Sequence, residues 1–304
     1  MTLAAITSTL GRTPATLIPA IEQYLYGNQR TQLNRLNGAI TTTATTMTMG
    51  FTAEGVRGGA YVELEDELVY VWSVSGLVAT IQRAMLGTTA ASHADLTLAR
   101  VEPRFLRAQM NTEIANEIRS WPSNIYARYA GDLAIGASVN AIDVAGLSAV
   151  PGAHLLRVQL SPTDTTDERW SRFDNVRLER RQQTATFASG YALVVPGDIG
   201  KAVTLRVVCR APFIVGSLAS GTDFGSLGLT NDLVDIIPWG VAARMVLTRD
   251  IARSDSNAQG RSRPAEEVRP GDAANVARML LTERDRLLTE ASNRLLAEDG
   301  MGWS

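Results

Sequence analysis

The run Glu67-Leu-Val-Tyr-Val-Trp-Ser-Val-Ser-Gly76, continued by Thr80-Ile-Gln-Arg83 and Leu86-Gly-Thr-Thr-Ala-Ala-Ser-His93, decides how the chain is read. β-Branched and aromatic residues crowd its first half, a composition that suits a pleated strand. Ser75-Gly76 supplies a turn, so Val78 to Arg83 reads as the returning strand. Upstream, Tyr61 to Leu64 and Leu68 to Trp72 read as strands around the acidic turn Glu65-Asp66-Glu67. With the Thr-rich stretch Ile40 to Met49, they predict a small β meander over residues 39–101.

Outward from this module the period changes. Leu17, Ile18, Ile21, Tyr24 and Leu25 have the spacing of one helical face and predict a short helix over 15–26, on an amino-terminal helical arm covering 1–38. Pro103 suits a first helical turn, Ile114, Ile118 and Trp121 then share a face, and Pro122 ends that helix. Between 130 and 215 the alternation Leu156-Val158-Leu160, Val176-Leu178, Ala192-Val194 and Val203-Leu205-Val207-Cys209 predicts an inserted antiparallel β-sandwich or barrel. Residues 216–229 are glycine-rich and read as a linker. Asp232 and Pro238 announce a helix to about Arg253. Pro264 and Pro270 interrupt the polar stretch that follows. Asp272 then opens the longest helix, with Val276, Leu280, Leu287, Ala291 and Leu295 as its stripe and Glu283/Arg286 and Glu290/Arg294 as ion pairs. The expected class is α+β, with a helical core made from 102–129 and 230–304.

Hydrophobic residues at 45% and charged residues at 20% of 304 exclude a largely disordered chain. No window approaches the roughly 18 apolar residues of a membrane span, and the amino terminus lacks the basic start and apolar core of a secretory signal, so a protein made and used in water is expected. A net charge of -2 removes the simplest argument for binding nucleic acid or anionic lipid. All basic residues but Lys201 are arginine, a skew that fits a GC-rich coding sequence.

Chemistry-bearing residues are few. Cys209 alternates with aliphatics and reads as a core residue. Glu63, Glu65 and Glu67 are expected on one face beside Asp66. A carboxylate pair there could serve acid and base roles on a glycosidic bond, but three acids around a turn read better as a solvated strand end. His93 and His154 lack partners at metal-ligand or nucleophile–base spacing. Gly216 and Gly221 have the outer spacing of a phosphate loop, yet Thr222-Asp223 stands where Lys-Ser/Thr would do the chemistry. No catalytic residue, cofactor or metal is expected. Arg177, Arg180 and Arg181 form the strongest basic patch and are read as a subunit interface in preference to a nucleic-acid surface.

The run from Glu67 to His93 resembles a short β module of tailed-bacteriophage virion proteins: an apolar strand with an acidic residue, a second strand ending in Arg, and a Gly-Thr-Thr-Ala-Ala-x-His loop. Arg83-Ala84-Met85 stands where Arg-Gly is frequent in that pattern. Val101-Glu-Pro-Arg-Phe105, Asp235-Ile-Ile-Pro-Trp-Gly-Val-Ala-Ala-Arg244 and Ala265-Glu-Glu-Val-Arg-Pro-Gly271, each before or opening a helix, resemble phage head-to-tail connector adaptors. The resemblance covers about 40–121 and 232–296.

It implies a non-enzymatic virion protein, made in the host cytoplasm and located in the neck. There it would form a homo-oligomeric ring, commonly of twelve copies, between the portal and the tail proteins. DNA would pass through the channel without specific binding, and no membrane is involved. Met301 and Trp303, near the carboxyl terminus, are the portal-docking candidates. The alternative is a tail or baseplate structural protein whose β-sandwich binds host glycan through Trp170, Phe173 and Tyr191. An enzyme using the acids near Glu65 is the remaining rival.

Overall fold

The computed structural model describes residues 4–26, 32–51, 55–136, 140–144, 153–160, 170–173, 176–195, 203–257 and 272–299. The chain is α+β, and among the described residues all strand pairs are antiparallel. In order it forms β1 (Ala4–Ala5), α1 (Pro14–Tyr26), β2 (Gln32–Arg35), β3 (Thr46–Thr48), β4 (Tyr61–Leu64), β5 (Glu67–Ser75), β6 (Val78–Gln82) and β7 (Leu98–Val101). There follow α2 (Arg107–Arg119), β8 (Ala127–Ile135), β9 (Ala141–Asp143), β10 (His154–Leu160), β11 (Ser171–Phe173), β12 (Arg177–Arg180), β13 (Tyr191–Val194) and β14 (Val203–Ala211). Three helices end the series: α3 (Asn231–Val234), α4 (Ile237–Asn257) and α5 (Asp272–Glu298).

The first sheet has the order β2-β7-β4-β5-β6-β3. Its two edges meet: Gly50 donates to Arg35 O at 2.7 Å, Asn37 to Thr48 O at 2.9 Å, and Leu36 bridges Met49. The curled sheet encloses its own core, in which Leu36, Met47, Met49, Val62, Leu64, Val69, Val71 and Ala99 are buried. This module begins at Gln32, not at 39, because β2 supplies the strand beside β7. Its other face carries Glu63, Leu68, Tyr70 and Arg100, and it points toward the helices: Arg100 reaches Glu22 of α1, and Glu63 accepts the N–H of Arg107 at the start of α2.

The strands from Ala127 to Ala211, with β1 added at one edge, form two sheets, β1-β8-β14-β10-β11 and β12-β13-β9. Their inner faces meet in one hydrophobic cluster, Leu133, Val158, Leu205 and Val207 from one sheet and Leu193 and Val195 from the other. Cys209 is buried there, as its alternation predicts. The cluster continues into the helices through Ile114, Ile118, Trp121, Phe213, Val241 and Leu288, so the sandwich and the helical layer share one core.

Several expectations change. Glu63 and Glu67 are not a solvated strand end. Both are buried, and the register pairs Glu63 with Leu68 and Leu64 with Glu67, which sends the two carboxylates to opposite faces. Nor does α1 stand out on an arm. Leu17, Ile18 and Ile21 are buried in the main core, and Tyr24 stacks on Trp239 with ring centroids 4.7 Å apart. The segment preceding α1 is stitched to β8 and to the expected linker. Ile6 donates to Arg128 O of β8, Ser8 to Gly225 O and Phe224 to Arg12 O, while Asp223 accepts the amides of Leu10, Gly11 and Gly225.

The expected single helix from 232 is broken into α3 and α4, and α2 begins at Arg107, after Pro103. On α5 the buried stripe is Ala277, Leu280, Leu288, Ala291 and Leu295, whereas Val276 is 45% exposed. Arg286 pairs with both Glu283 and Glu290, which leaves Arg294 to Asp232 of α3. The polar stretch 258–271 lies outside the described residues.

One contact dictates the helix packing. A Cβ on Gly240 of α4 would lie 2.2 to 2.4 Å from the carboxylate of Glu117 in α2, closer than atoms can approach. Gly240→Ala should therefore destabilise the protein by about 1–3 kcal/mol, the usual cost of overpacking, read from the urea midpoint. A midpoint equal to that of the unmodified protein would show that α2 and α4 do not meet in this way.

Candidate functional site

The residues singled out by sequence fall into three carboxylate-centred clusters and one arginine edge. The first cluster explains the Glu67-to-His93 motif. Glu67, 1% exposed, accepts from Arg83 Nε at 2.7 Å and Nη2 at 2.6 Å, and from the backbone N–H of Ala84 at 3.1 Å and Ala91 at 3.0 Å. His93 Nε2 lies 2.9 Å from Glu67, and its Nδ1 lies 2.8 Å from Glu65. Arg83 also donates to Thr41 O and Ala91 O. Thr88 closes the loop, accepting from Leu68 N–H and donating to Met85 O. Burial raises the Glu67 carboxyl, but Arg83, the two amides and His93 outweigh it and hold the group down at about 2.

The second cluster ties the curled sheet to the helices. Glu63 accepts from Arg100 Nη1 at 2.9 Å and from Arg107 N–H at 2.6 Å, and Arg100 Nη2 lies 2.7 Å from Glu22. The Arg107 amide is an orphan donor of the first helical turn, and Leu106, at the cap position, offers it no side-chain acceptor. Glu63 fills that role from another element. Two acids share one arginine here, and burial is the largest influence on Glu63, pushing its carboxyl up to about 7.

The third cluster was not foreseen. Glu117, with no exposed surface, accepts from Arg284 Nε of α5 at 2.5 Å, Trp121 Nε1 at 3.0 Å and Arg244 Nε of α4 at 3.1 Å. Its signal was present in the sequence: Glu117 lies among Ile114, Ile118 and Trp121 on the apolar stripe of α2, where a charge requires buried partners.

In none of the three is the carboxylate free to meet a ligand. Glu63 and Glu67 lie on opposite faces of the sheet, so the paired-acid geometry of glycoside cleavage is not formed. Both ring nitrogens of His93 face carboxylates, and the ring is buried. Cys209 is buried too, and burial pushes its thiol up to about 12, far from a reactive thiolate. His154 is exposed, and slight burial with Arg180 and Arg210 nearby lowers its pKa. Among the described residues no group of three His, Cys, Asp or Glu side chains is placed to hold a metal ion. No helix of the described residues is long and apolar enough to cross a membrane.

Arg177 and Arg180 lie on β12 at the edge of the three-stranded sheet, on opposite faces of the strand, and Arg181 lies just beyond it. Arg180 donates to Ala153 O at 2.6 Å, so it ties β12 to the start of β10. Arg177 and Arg181 are exposed and form no ion pair among the described residues. Trp170, Phe173 and Tyr191 do not form one platform. Phe173, paired with Val158, and Tyr191 pack against the core, while Trp170 lies under the guanidinium of Arg206 at 4.0 Å. Gly216 and Gly221 do not build a phosphate loop: Asp223 takes amide donors for itself, and Arg119 takes the carbonyls of Val215 and Gly216. Met301 and Trp303 lie outside the described residues. No family model matches the chain, and a search of curated proteins finds no match.

The two carboxylates have opposite linkage to pH. The depressed Glu67 contributes stability above about 4.5 that is lost as pH falls toward about 2; the raised Glu63 costs stability above about 7, and that cost disappears as pH falls toward about 4.5. Denaturant titrations from pH 8 to 2.5 should show Glu63→Gln flattening the limb between 7 and 4.5, and Glu67→Gln flattening the limb below 4.5. Parallel profiles for either variant and the unmodified protein would remove that carboxylate from the account.

Proposed function

We propose that the chain is a structural subunit of a tailed-bacteriophage virion, a head-to-tail connector adaptor that forms a ring between portal and tail through which DNA passes. The observation that carries this reading is the convergence of the module's signature residues. Glu67 in the first strand, Arg83 at the end of the second, and Ala91 and His93 in the loop all meet at one carboxylate. The pattern shared with phage virion proteins is thus a folding unit in this chain, which gives the resemblance a physical basis.

The helical layer of α1 to α5 serves, on this reading, as the adaptor core, and the curled sheet and the sandwich stiffen subunit contacts. The subunit works through surfaces and without catalysis. Identical copies related by a closing rotation meet through two different patches. The β12 edge suits one of them: arginines on an edge strand discourage open-ended strand pairing, and their planar forks match carboxylates on a neighbour. A channel that is not strongly basic lets DNA slide, since each phosphate contact would add salt-dependent affinity.

Negative-stain images of the purified chain should show closed rings with a central opening, and a gold label at the carboxyl terminus should appear at the neck of the virion. A label elsewhere on the particle overturns the adaptor reading. Arg177→Glu with Arg181→Glu should reduce ring formation at least tenfold in concentration dependence while leaving the circular dichroism spectrum unchanged; undiminished assembly would remove β12 from the interface. Removing residues 300–304 should abolish portal binding. That truncation spares Glu298 and Asp299, which anchor α5 to Arg128 and Tyr126.

A further inference from the structure

Helix α5 ends on the outer face of the five-stranded sheet. Tyr126 donates its hydroxyl to Asp299 at 2.5 Å, and Arg128 Nη2 lies 3.1 Å from Asp299 and 2.9 Å from Glu298. On β8, Arg128, Ala130 and Asp132 alternate onto that outer face, while Tyr129 and Leu133 turn into the core. Just past Arg128 the face opens into a shallow groove of about 380 Å³ between the segment after β1, β8, β14 and β10. None of the three carboxylate clusters uses it.

Its chemistry suits an uncharged aromatic group. Ala130 and Val208 form the floor, and Ile6, 48% exposed, forms one wall. Arg206 is neutralised by Asp132, which it meets at 2.8 and 3.0 Å, and its guanidinium already lies on the ring of Trp170. Arg157 stands opposite Val208 and forms neither an ion pair nor a side-chain hydrogen bond among the described residues; its Nε is buried without a partner. One free cation is a weak lure for a phosphate or an acidic chain, the more so with Glu298 and Asp299 beside the groove. A partly desolvated guanidinium does, however, offer its flat face, and an indole is the best ring to cover it.

We propose that this groove docks residues 300–304 of the same chain, with the Trp303 indole laid on the Arg157 guanidinium and against Ile6. The segment Gly300-Met301-Gly302-Trp303-Ser304 carries no charged side chain and spaces two large apolar ones with glycine. Its origin is fixed: Asp299 is held at Arg128, and Ala130 lies two positions further along the same strand, about 7 Å away. Five extended residues span about 17 Å, so the tail reaches the groove with length to spare. The latch stands on the groove and on the end of α5. That it withholds Trp303 from the portal rests on the adaptor reading.

The test uses the full chain with Trp303 replaced by the photoreactive aromatic residue p-benzoylphenylalanine. Irradiation should join position 303 to Ile6 or to its neighbours in the groove, within one chain and at every dilution, as mapped by mass spectrometry. Arg157→Gln should lower the yield roughly fivefold by removing the cation under the ring. Ala130→Leu should do the same by filling the groove with every charge in place, and both variants should keep the circular dichroism spectrum of the unmodified protein. Cross-links that map off the groove, that join two chains, or that keep their yield in either variant overturn the latch; the map itself decides even where a variant fails to fold. With the natural Trp303, purified portal should bind Ala130→Leu about threefold more tightly, because a larger fraction of tails is free. Equal portal affinity alongside groove cross-links keeps the latch and removes the competition. Groove cross-links in a chain that binds no portal sink the adaptor reading alone.

Discussion

Glu117 has no contact with water, and most of the helical layer follows from that. An ionised carboxylate cannot be buried alone, since its lost hydration amounts to several kcal/mol even after relaxation. Here α4 and α5 each bring one arginine to it, and Trp121, just past the end of α2, adds an N–H. The three helices must then approach closely enough for the forks to reach, which is why α4 has glycine at 240. Arg284 goes on to Ser120, while the neighbouring Arg119 holds the carbonyls of Val215 and Gly216 just past the last strand of the sandwich. A short stretch of α2 therefore fixes both its partner helices and the exit of the β insertion, consistent with the single core that runs through them.

Glu63 and Glu67 apply the same rule to the curled sheet, with different results on its two faces. Glu67 points inward with Val69 and Val71, where Arg83, two amides and His93 satisfy it almost completely. Its burial organises a loop, and its pKa falls. Glu63 points outward to the helices, shares Arg100 with Glu22, and caps α2; burial dominates, and its pKa rises. Two glutamates four residues apart differ because one has a set of donors to itself and the other competes for one arginine.

Much of this fold was legible. Alternation located β5, β6, β10, β13 and β14, and helical spacing located α1 and α5, because each element buries one face and exposes the other. What could not be read was the destination of the charged residues. Across the turn at Glu65, whose φ is 53°, the register pairs 64 with 67, so the parity that would place Glu63 and Glu67 together is reversed. Spacing along one strand holds no information about that pairing. Val276 departs from the expected buried stripe of α5 for a related reason: it follows the helical period, but the partner helix lies nearer Ala277 and Leu280. The strapped segment before α1 is illegible too, since its ties run from backbone amides and carbonyls to residues more than a hundred positions away, among them the Asp223 carboxylate.

The arginine composition, which sequence alone explains as codon usage, has a structural consequence at these sites. Arg83 makes four contacts, two to Glu67 and one each to Thr41 O and Ala91 O. A lysine there would present one compact ammonium on a flexible stem and could not span the carboxylate and both carbonyls in one plane. Arg284 likewise divides its fork between Glu117, Ser120 and Asp285, and Arg119 reaches two successive carbonyls. Each of these arginines joins segments far apart in sequence, so the planar guanidinium acts as a cross-link where the chain has a single cysteine and no disulfide. A coding bias toward arginine and a fold held together by forked contacts to buried carboxylates reinforce each other.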